Sequence, residues 1–216
     1  FYGLVEAVPP VTVLDARAHA SATSGRAELL TSCGRPALSV GLRIVDDEGV
    51  DVPVGEIGEI LTGGDHVMRG YFRSEGSGPD GTEVKSVVDG WLRTGDLGRM
   101  DSEGFVYLVD RRGDMIITGG YNVFPREVED AIATFEGVGE VAVVGIPHKE
   151  WGQQVVAFYT PRPGMQVQET MLDAHCRRVL PSFKKPREFY AVTCMPVTST
   201  GKIDKKALKA SVEGSV

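Results

Sequence analysis

The sequence has few cysteines and histidines, no surplus of positive charge and no long apolar run, and each shortage excludes a class of protein. Its three cysteines, Cys33, Cys176 and Cys194, stand far apart with no CxxC pair. That excludes a disulfide scaffold and fits a reducing compartment, here taken as the cytoplasm. Four histidines, His19, His66, His148 and His175, are scattered, and none stands at metal-ligand spacing from a cysteine or another histidine, so no zinc site is expected. With 23 Lys and Arg against 30 Asp and Glu, the net charge is -7. Neutralising nucleic-acid phosphates needs a cationic surplus, so no nucleic-acid partner is expected. The longest apolar runs, Val141 to Val144 and Met115 to Ile117, fall far short of the roughly 18 residues of a membrane helix, and no integral membrane segment is expected.

What is present suits a globular chain of 216 residues, 42% hydrophobic and 25% charged, with enough apolar mass for one large domain or two small ones. The first part alternates: Leu38, Val40, Leu42 and Ile44 stand at period two, Gly55-Glu56-Ile57-Gly58-Glu59-Ile60 follows, and the region reads as strand-rich. Ser74 to Thr82 has the composition of a surface loop. Asp101-Ser102-Glu103-Gly104 reads as a hairpin turn, with Phe105, Tyr107 and Val109 on one face of the returning strand. A charged run, Asp110-Arg111-Arg112-Gly113-Asp114, then separates two apolar strands and marks the domain boundary. Beyond it, Pro125 suits a first helical position, and Val128, Ala131, Ile132 and Phe135 form an apolar stripe. Strands are expected over Glu140–Ile146, Val155–Tyr159 and about Phe189–Thr193, and a helix near Gln168–Leu180 with Met171, Leu172 and Val179 inward. A last short helix begins at about Lys205.

Three segments could carry chemistry. Thr198-Ser199-Thr200-Gly201-Lys202 resembles the tail of a nucleotide-binding P-loop, yet Pro196 and Ile203 break that pattern, leaving a lysine on a turn that can reach an anion. In Trp91-Leu92-Arg93-Thr94-Gly95-Asp96, an aspartate beside a glycine can present both carboxylate oxygens to a vicinal diol such as ribose; an Asx turn is the plainer alternative. In Ile116 to Pro125, Gly119 and Gly120 stand between a strand and a helix, where a ligand could approach the backbone closely or the pair could merely shape the turn.

Taken in order, these segments carry a resemblance that none carries alone. With Tyr2-Gly3-Leu4-Val5-Glu6, the Gly55 to Ile60 segment, Gly70-Tyr71, Asp110-Arg111 and the run from Gly119 to Glu129, the chain resembles the C-terminal part of AMP-forming acyl-CoA synthetases of the adenylate-forming superfamily. The resemblance covers almost the whole chain. It implies an α+β protein: residues 1–110 as the strand-rich, β-barrel-like last part of a large adenylation domain, 111–114 as a hinge, and 115–216 as a small mobile α/β domain with a three-stranded sheet and helices.

The resemblance also implies roles. Tyr2, with Gly3, would lie at the adenine and Glu6 would help hold Mg2+ on the nucleotide phosphates. Asp96 would bind the ribose hydroxyls of ATP or AMP, with Arg111 close by. Lys202 would be the adenylation lysine, neutralising charge as a carboxylate attacks the α-phosphate. The small domain would then rotate about Gly113, with Gly119 and Gly120 lining the pantetheine path and Trp151, Phe183 and Lys185 at the nucleotide of coenzyme A. The family often carries Asp or Lys at the hinge and Thr before the glutamate, where this chain has Gly113 and Val5. Its phosphate loop, upstream in the family, has no counterpart here, so the chain is expected to be a fragment, inactive without the upstream remainder of the adenylation domain. The implied reaction joins a hydrophobic carboxylic acid to coenzyme A. Apolar Leu4, Val5, Ala7 and Val8 near the implied acyl pocket fit a hydrophobic acid, a medium- or long-chain fatty acid first and an aromatic acid second. Loading of a carrier protein and a non-catalytic nucleotide-binding relic remain as alternatives.

Overall fold

The computed structural model describes residues 1–70 and 87–213; the expected Ser74–Thr82 loop and Tyr71 lie outside the described residues. The chain divides into two compact units, Phe1–Arg112 and Gly113–Val216.

The first unit has β1 (Tyr2–Leu4), β2 (Ala7–Val13), α1 (Ala16–Thr23), β3 (Arg35–Pro36), β4 (Gly41–Val45), β5 (Gly58–Gly63), β6 (Val87–Val88), β7 (Trp91–Met100) and β8 (Val106–Arg111). Strands β1, β2 and β3 make a small sheet, and a five-stranded sheet runs β4-β5-β7-β6 with β8 also on β7. Tyr2, Ala7, Val11, Ile44, Ile60, Leu92 and Val106 form one core from both sheets. Asp15 caps α1 by accepting from Ala18 N at 2.8 Å, and Ala18 and Ala22 of that helix pack with Leu29, Phe105 and Tyr107 in a second core. The Asp101–Gly104 turn closes with Gly104 N donating to Asp101 O at 3.0 Å.

The expected barrel-like arrangement is overturned. The larger sheet ends at β4 on one side and at β6 and β8 on the other. The isolated bridges Gly34–Val106 and Ala7–Val67 link backbone at the margins, but no described ladder joins the two edges into a closed ring. Closure is a property of long-range hydrogen bonds, and the alternation that makes a strand is the same in an open sheet. Leu38, which stands at period two with Val40, Leu42 and Ile44, is almost fully exposed and lies outside the strand, since β4 starts only at Gly41.

The second unit has β9 (Ile116–Thr118), β10 (Tyr121–Val123), α2 (Pro125–Ala133), β11 (Val138–His148), β12 (Gly152–Pro161), α3 (Glu169–Val179), β13 (Glu188–Ala191) and α4 (Lys205–Glu213). Its sheet has five strands, β10-β9-β12-β11 with β13 parallel to β12, not the three expected. Of the two added strands, β9 falls where a strand is expected before Gly119, whereas no strand is expected at β10; with three residues each, neither is long enough to show a period or its place in the sheet. Both faces of the sheet are covered. Val143, Val155, Ala157 and Tyr159 pack with Val128 and Ile132 of α2 and Leu172 and Cys176 of α3. The alternate residues Ala142, Val144, Ile146, Val156 and Phe158 pack with Leu208 and Val212 of α4. A strand buried on both faces reads as a continuous apolar run, which is what residues 141–146 show. Met171 and Val179, expected inward, are 57% and 44% exposed. Leu172 is buried as expected, and Cys176 four residues on completes the inner stripe of α3.

Candidate functional site

In the first unit the geometry centres on Asp96. Between the pairs Leu61–Arg93 and Glu59–Leu97 the β5–β7 register shifts, so that Thr94, Gly95 and Asp96 stand opposite Ile60 alone. Such a bulge re-aims the strand, and Gly95 takes φ +73° there, a conformation that glycine adopts without penalty. Thr94 Oγ1 donates to Ile60 O at 2.7 Å and accepts from Asp96 N at 3.1 Å, which locks the bulge. Asp96 is only 8% exposed. Tyr2 OH donates to its Oδ2 at 2.7 Å, and Arg111, its cross-strand neighbour on β8, approaches Oδ1 through Nε at 3.1 Å. Burial is the main cause holding the Tyr2 phenol well above its ordinary range, with the Asp96 carboxylate adding to it. The structure therefore brings together Tyr2, Asp96 and Arg111, residues 94 and 15 positions apart in sequence (96 - 2 and 111 - 96).

Glu6 lies in the turn between β1 and β2, half-buried, and its carbonyl accepts from Met68 N at 2.8 Å. Beside it Val5 is 96% exposed, whereas Ala7 is fully buried in the core and so cannot line a surface pocket. Gly3 precedes this turn on β1. Among the described residues no group of three or more His, Cys, Asp or Glu could hold a metal ion. A single carboxylate such as Glu6 is compatible with Mg2+ that arrives on phosphates, since that ion keeps water and substrate oxygens among its ligands.

Sequence reasoning missed the carboxylate beneath the bulge. Glu59, 4% exposed, accepts from Arg93 Nε at 3.0 Å, from Arg112 Nη1 at 3.1 Å and from Gly95 N at 3.3 Å. Arg112 also reaches Asp47 at 2.6 Å. A buried carboxylate needs such partners, and here they pin the glycine before Asp96 and the last residue of the unit. Only knowledge of the strand register could have revealed this grouping. Gly113 follows in a short turn, with no atom near the place of a Cβ.

The second unit holds two separate groups. Gly119 (φ +56°) and Gly120 (φ +83°) turn the β9–β10 hairpin. Gly119 N donates to Trp151 O at 2.9 Å, and a Cβ on Gly119 would come within 2.9 Å of the Trp151 ring. Trp151, 39% exposed, lies under the guanidinium of Arg187 at 4.9 Å. Phe183 stacks on Tyr121 of the same hairpin, centroids 4.6 Å apart. Lys185 is engaged elsewhere: it pairs with Asp173, whose carboxyl it holds below its ordinary range, and donates to Pro186 O at 3.0 Å.

Lys202 sits on an exposed turn closed by Thr198 N to Lys202 O at 2.7 Å and Gly201 N to Thr198 O at 2.9 Å. The turn is flanked by the Val197–Ile203 bridge, and Ile203 packs on the core beneath α4. Among the described residues the Lys202 ammonium has no ion pair, in contrast to Lys184, Lys185 and Lys205.

The comparisons with known proteins give the family. Residues 1–72 match the AMP-binding enzyme family, and residues 127–202 match the AMP-binding enzyme C-terminal domain. The chain belongs to this adenylate-forming family. It is 40% identical to the medium/long-chain-fatty-acid–CoA ligase FadD8 of Mycobacterium tuberculosis, over 97% of this chain and 36% of that protein. It is 38% identical to a feruloyl-CoA synthase of an Amycolatopsis species, over 94% of this chain and 39% of that one. Among solved structures, o-succinylbenzoate CoA synthetase (MenE) of Bacillus subtilis with its acyl-adenylate intermediate superposes with a TM-score of 0.81 and 33% identity, over 96% of this chain and 40% of that one. The chain thus spans 36 to 40% of the length of these relatives. No described helix is long and apolar enough to cross a membrane.

Proposed function

We propose that the chain is the C-terminal part of an AMP-forming acyl-CoA ligase acting on a hydrophobic carboxylic acid, with a medium- or long-chain fatty acid as first choice. In the first half-reaction an oxygen of the acid's carboxylate bonds to the α-phosphorus of ATP as the bond to pyrophosphate breaks. In the second the sulfur of coenzyme A bonds to the acyl carbon, its proton is lost, and AMP leaves. The observation that carries the reading is the Asp96 carboxylate, held between Tyr2 OH and Arg111 Nε, in a chain 40% identical to a fatty-acid–CoA ligase.

On this reading Asp96 accepts hydrogen bonds from the ribose hydroxyls, which its oxygens can do while still bonded to Tyr2 and Arg111 because each carries more than one lone-pair site. Tyr2 orients that carboxylate, and its contact with adenine rests on the family resemblance. Glu6 shares Mg2+ with the nucleotide phosphates. Lys202, exposed and without an ion-pair partner among the described residues, supplies the positive charge for adenylation; an ammonium already paired would have to break that pair first. Gly113 serves as the hinge between the half-reactions, Gly119 and Gly120 give the thiol of coenzyme A its backbone approach, and Trp151 and Phe183 offer aromatic faces to its adenine. Lys185, bound to Asp173, acts there by holding α3 to the Phe183 segment. The unpaired state of Cys33, Cys176 and Cys194 supports placement in the cytoplasm. The upstream part of the adenylation domain would complete the acid pocket.

The test is acid-dependent exchange of pyrophosphate into ATP, followed by acyl-CoA formation, in the full protein that carries this chain, with fatty and aromatic acids side by side. Exchange with fatty acids and CoA-dependent release of AMP are expected. Exchange that proceeds without any transfer to coenzyme A would overturn the ligase reading.

A further inference from the structure

The helix that follows the Lys202 turn is tied at its first residue to a carboxylate on α2, 73 residues before Lys202 (202 - 129). Glu129 on α2 directs Oε1 at the outer edge of β11, where it accepts from Val143 N at 2.8 Å. Among the described residues strand β11 is the last in its sheet, so this edge N–H has no described strand to pair with, and a side chain meets its hydrogen-bonding need. The same oxygen lies 2.7 Å from Nζ of Lys205, the first residue of α4, with both side chains about four-fifths covered. A lysine in the first turn of a helix opposes the helix dipole, so its place there calls for compensation, and Glu129 provides it. Asp204 adds a cap, accepting from Lys206 N at 3.1 Å and Ala207 N at 3.0 Å. Glu129 thus joins α2, the edge of β11 and the residue three positions after Lys202.

We propose that Glu129 and Lys205 are positioning residues for adenylation: their ion pair fixes the start of α4 on β11 and thereby the place from which the Lys202 ammonium is presented. The proposal rests on the reading of Lys202 as the adenylation lysine. Misplacing a group by about 1 Å can cost on the order of 100-fold in rate, so a loosened turn should be visible in one half-reaction and not in the other.

The experiment uses the full protein with Glu129→Gln, which keeps an acceptor for Val143 N–H but removes the charge, and with Lys205→Met, Lys205→Arg, the Glu129→Gln/Lys205→Met pair and Lys202→Ala as reference. Expected are a fall of about 10- to 100-fold in kcat for pyrophosphate exchange in Glu129→Gln and Lys205→Met, and KM values for ATP and acid within about threefold. Thioester formation from supplied acyl-adenylate should stay near its original rate, Lys205→Arg should be close to the parent, and the double variant no worse than either single one. Exchange at the parental rate in Glu129→Gln and Lys205→Met, or an equal fall in both half-reactions, overturns the proposal. If those variants exchange normally while Lys202→Ala is inactive in exchange, only the positioning proposal fails. If Lys202→Ala exchanges normally, the reading of Lys202 fails and the proposal with it.

Discussion

Asp96 and Lys202 hold their charges in opposite ways. The carboxylate of Asp96 is nearly buried, and both its oxygens are engaged, by Tyr2 and by Arg111. Lys202 is exposed on a turn whose backbone is bonded but whose ammonium has no ion pair among the described residues. The difference matches two kinds of task. A group that binds a ligand throughout a reaction gains from being fixed in advance, because no ordering entropy remains to be lost. On the proposed reading, an ammonium used in one step and withdrawn for the next gains from having no ion pair to hold it back. On that same reading, the support for Lys202 lies behind it, in the Glu129–Lys205 pair.

The comparison can be broken most forcefully at Lys202. Lys202→Ala should lower the rate of pyrophosphate exchange by on the order of 100- to 1,000-fold, the usual cost of removing one charge-stabilising donor, as read by initial rates at saturating ATP. Asp96→Asn should act on affinity instead, raising KM for ATP by about 10- to 100-fold, since hydrogen bonds to a charged group contribute roughly 1.5 to 3 kcal/mol. Arg93→Ala tests the support under the bulge. It leaves Glu59 with Arg112 as its remaining cationic partner and should destabilise the first unit by about 2 kcal/mol, seen as a lower urea midpoint.

The smallest effect concerns Tyr2 and pH. Its folded phenol titrates above the ordinary 10.0, so the unfolded chain loses that proton first. The stability this group contributes is whole below pH 10 and declines as pH rises beyond it. Tyr2→Phe should therefore cost about 1 kcal/mol at neutral pH and weaken the alkaline fall that begins near pH 10 in urea midpoints. Cys176, pushed up to about 11 by burial, contributes its own decline in the same direction, and the difference between parent and Tyr2→Phe isolates the phenol.

Local pattern made much of this fold legible. The β11–β12 pair follows from an apolar run, α2 from Pro125 and the stripe through Val128 and Ile132, and the Asp101–Gly104 hairpin from its turn residues. The strand count of the second sheet was not fully legible: β9 and β13 fall where strands are expected, but β10 has three residues between a glycine turn and α2, and nothing local assigns it or β9 to the same sheet as β11 and β12. Nor was the open edge of the first, which depends on partners far away in sequence. The site divides along the same line. Tyr2, Asp96, Arg111 and Lys202 lie in recognisable motifs. The residues behind them, Glu59 with Arg93 and Arg112 and Glu129 with Lys205, are joined only by register and packing. Apolar residues are scarce in α3, so Met171 and Val179 read as core beside Leu172; the inner face is completed by Cys176, which the apolar pattern alone does not mark.

The most direct test of the contrast compares the two half-reactions in the two variants. ATP–pyrophosphate exchange and thioester formation from supplied acyl-adenylate would be measured for Lys202→Ala and Asp96→Asn in the same preparation of the full protein. The account predicts that Lys202→Ala loses exchange while keeping thioester formation, and that Asp96→Asn weakens both, because the acyl-adenylate carries the same ribose as ATP. Equal loss of both half-reactions in Lys202→Ala would contradict it.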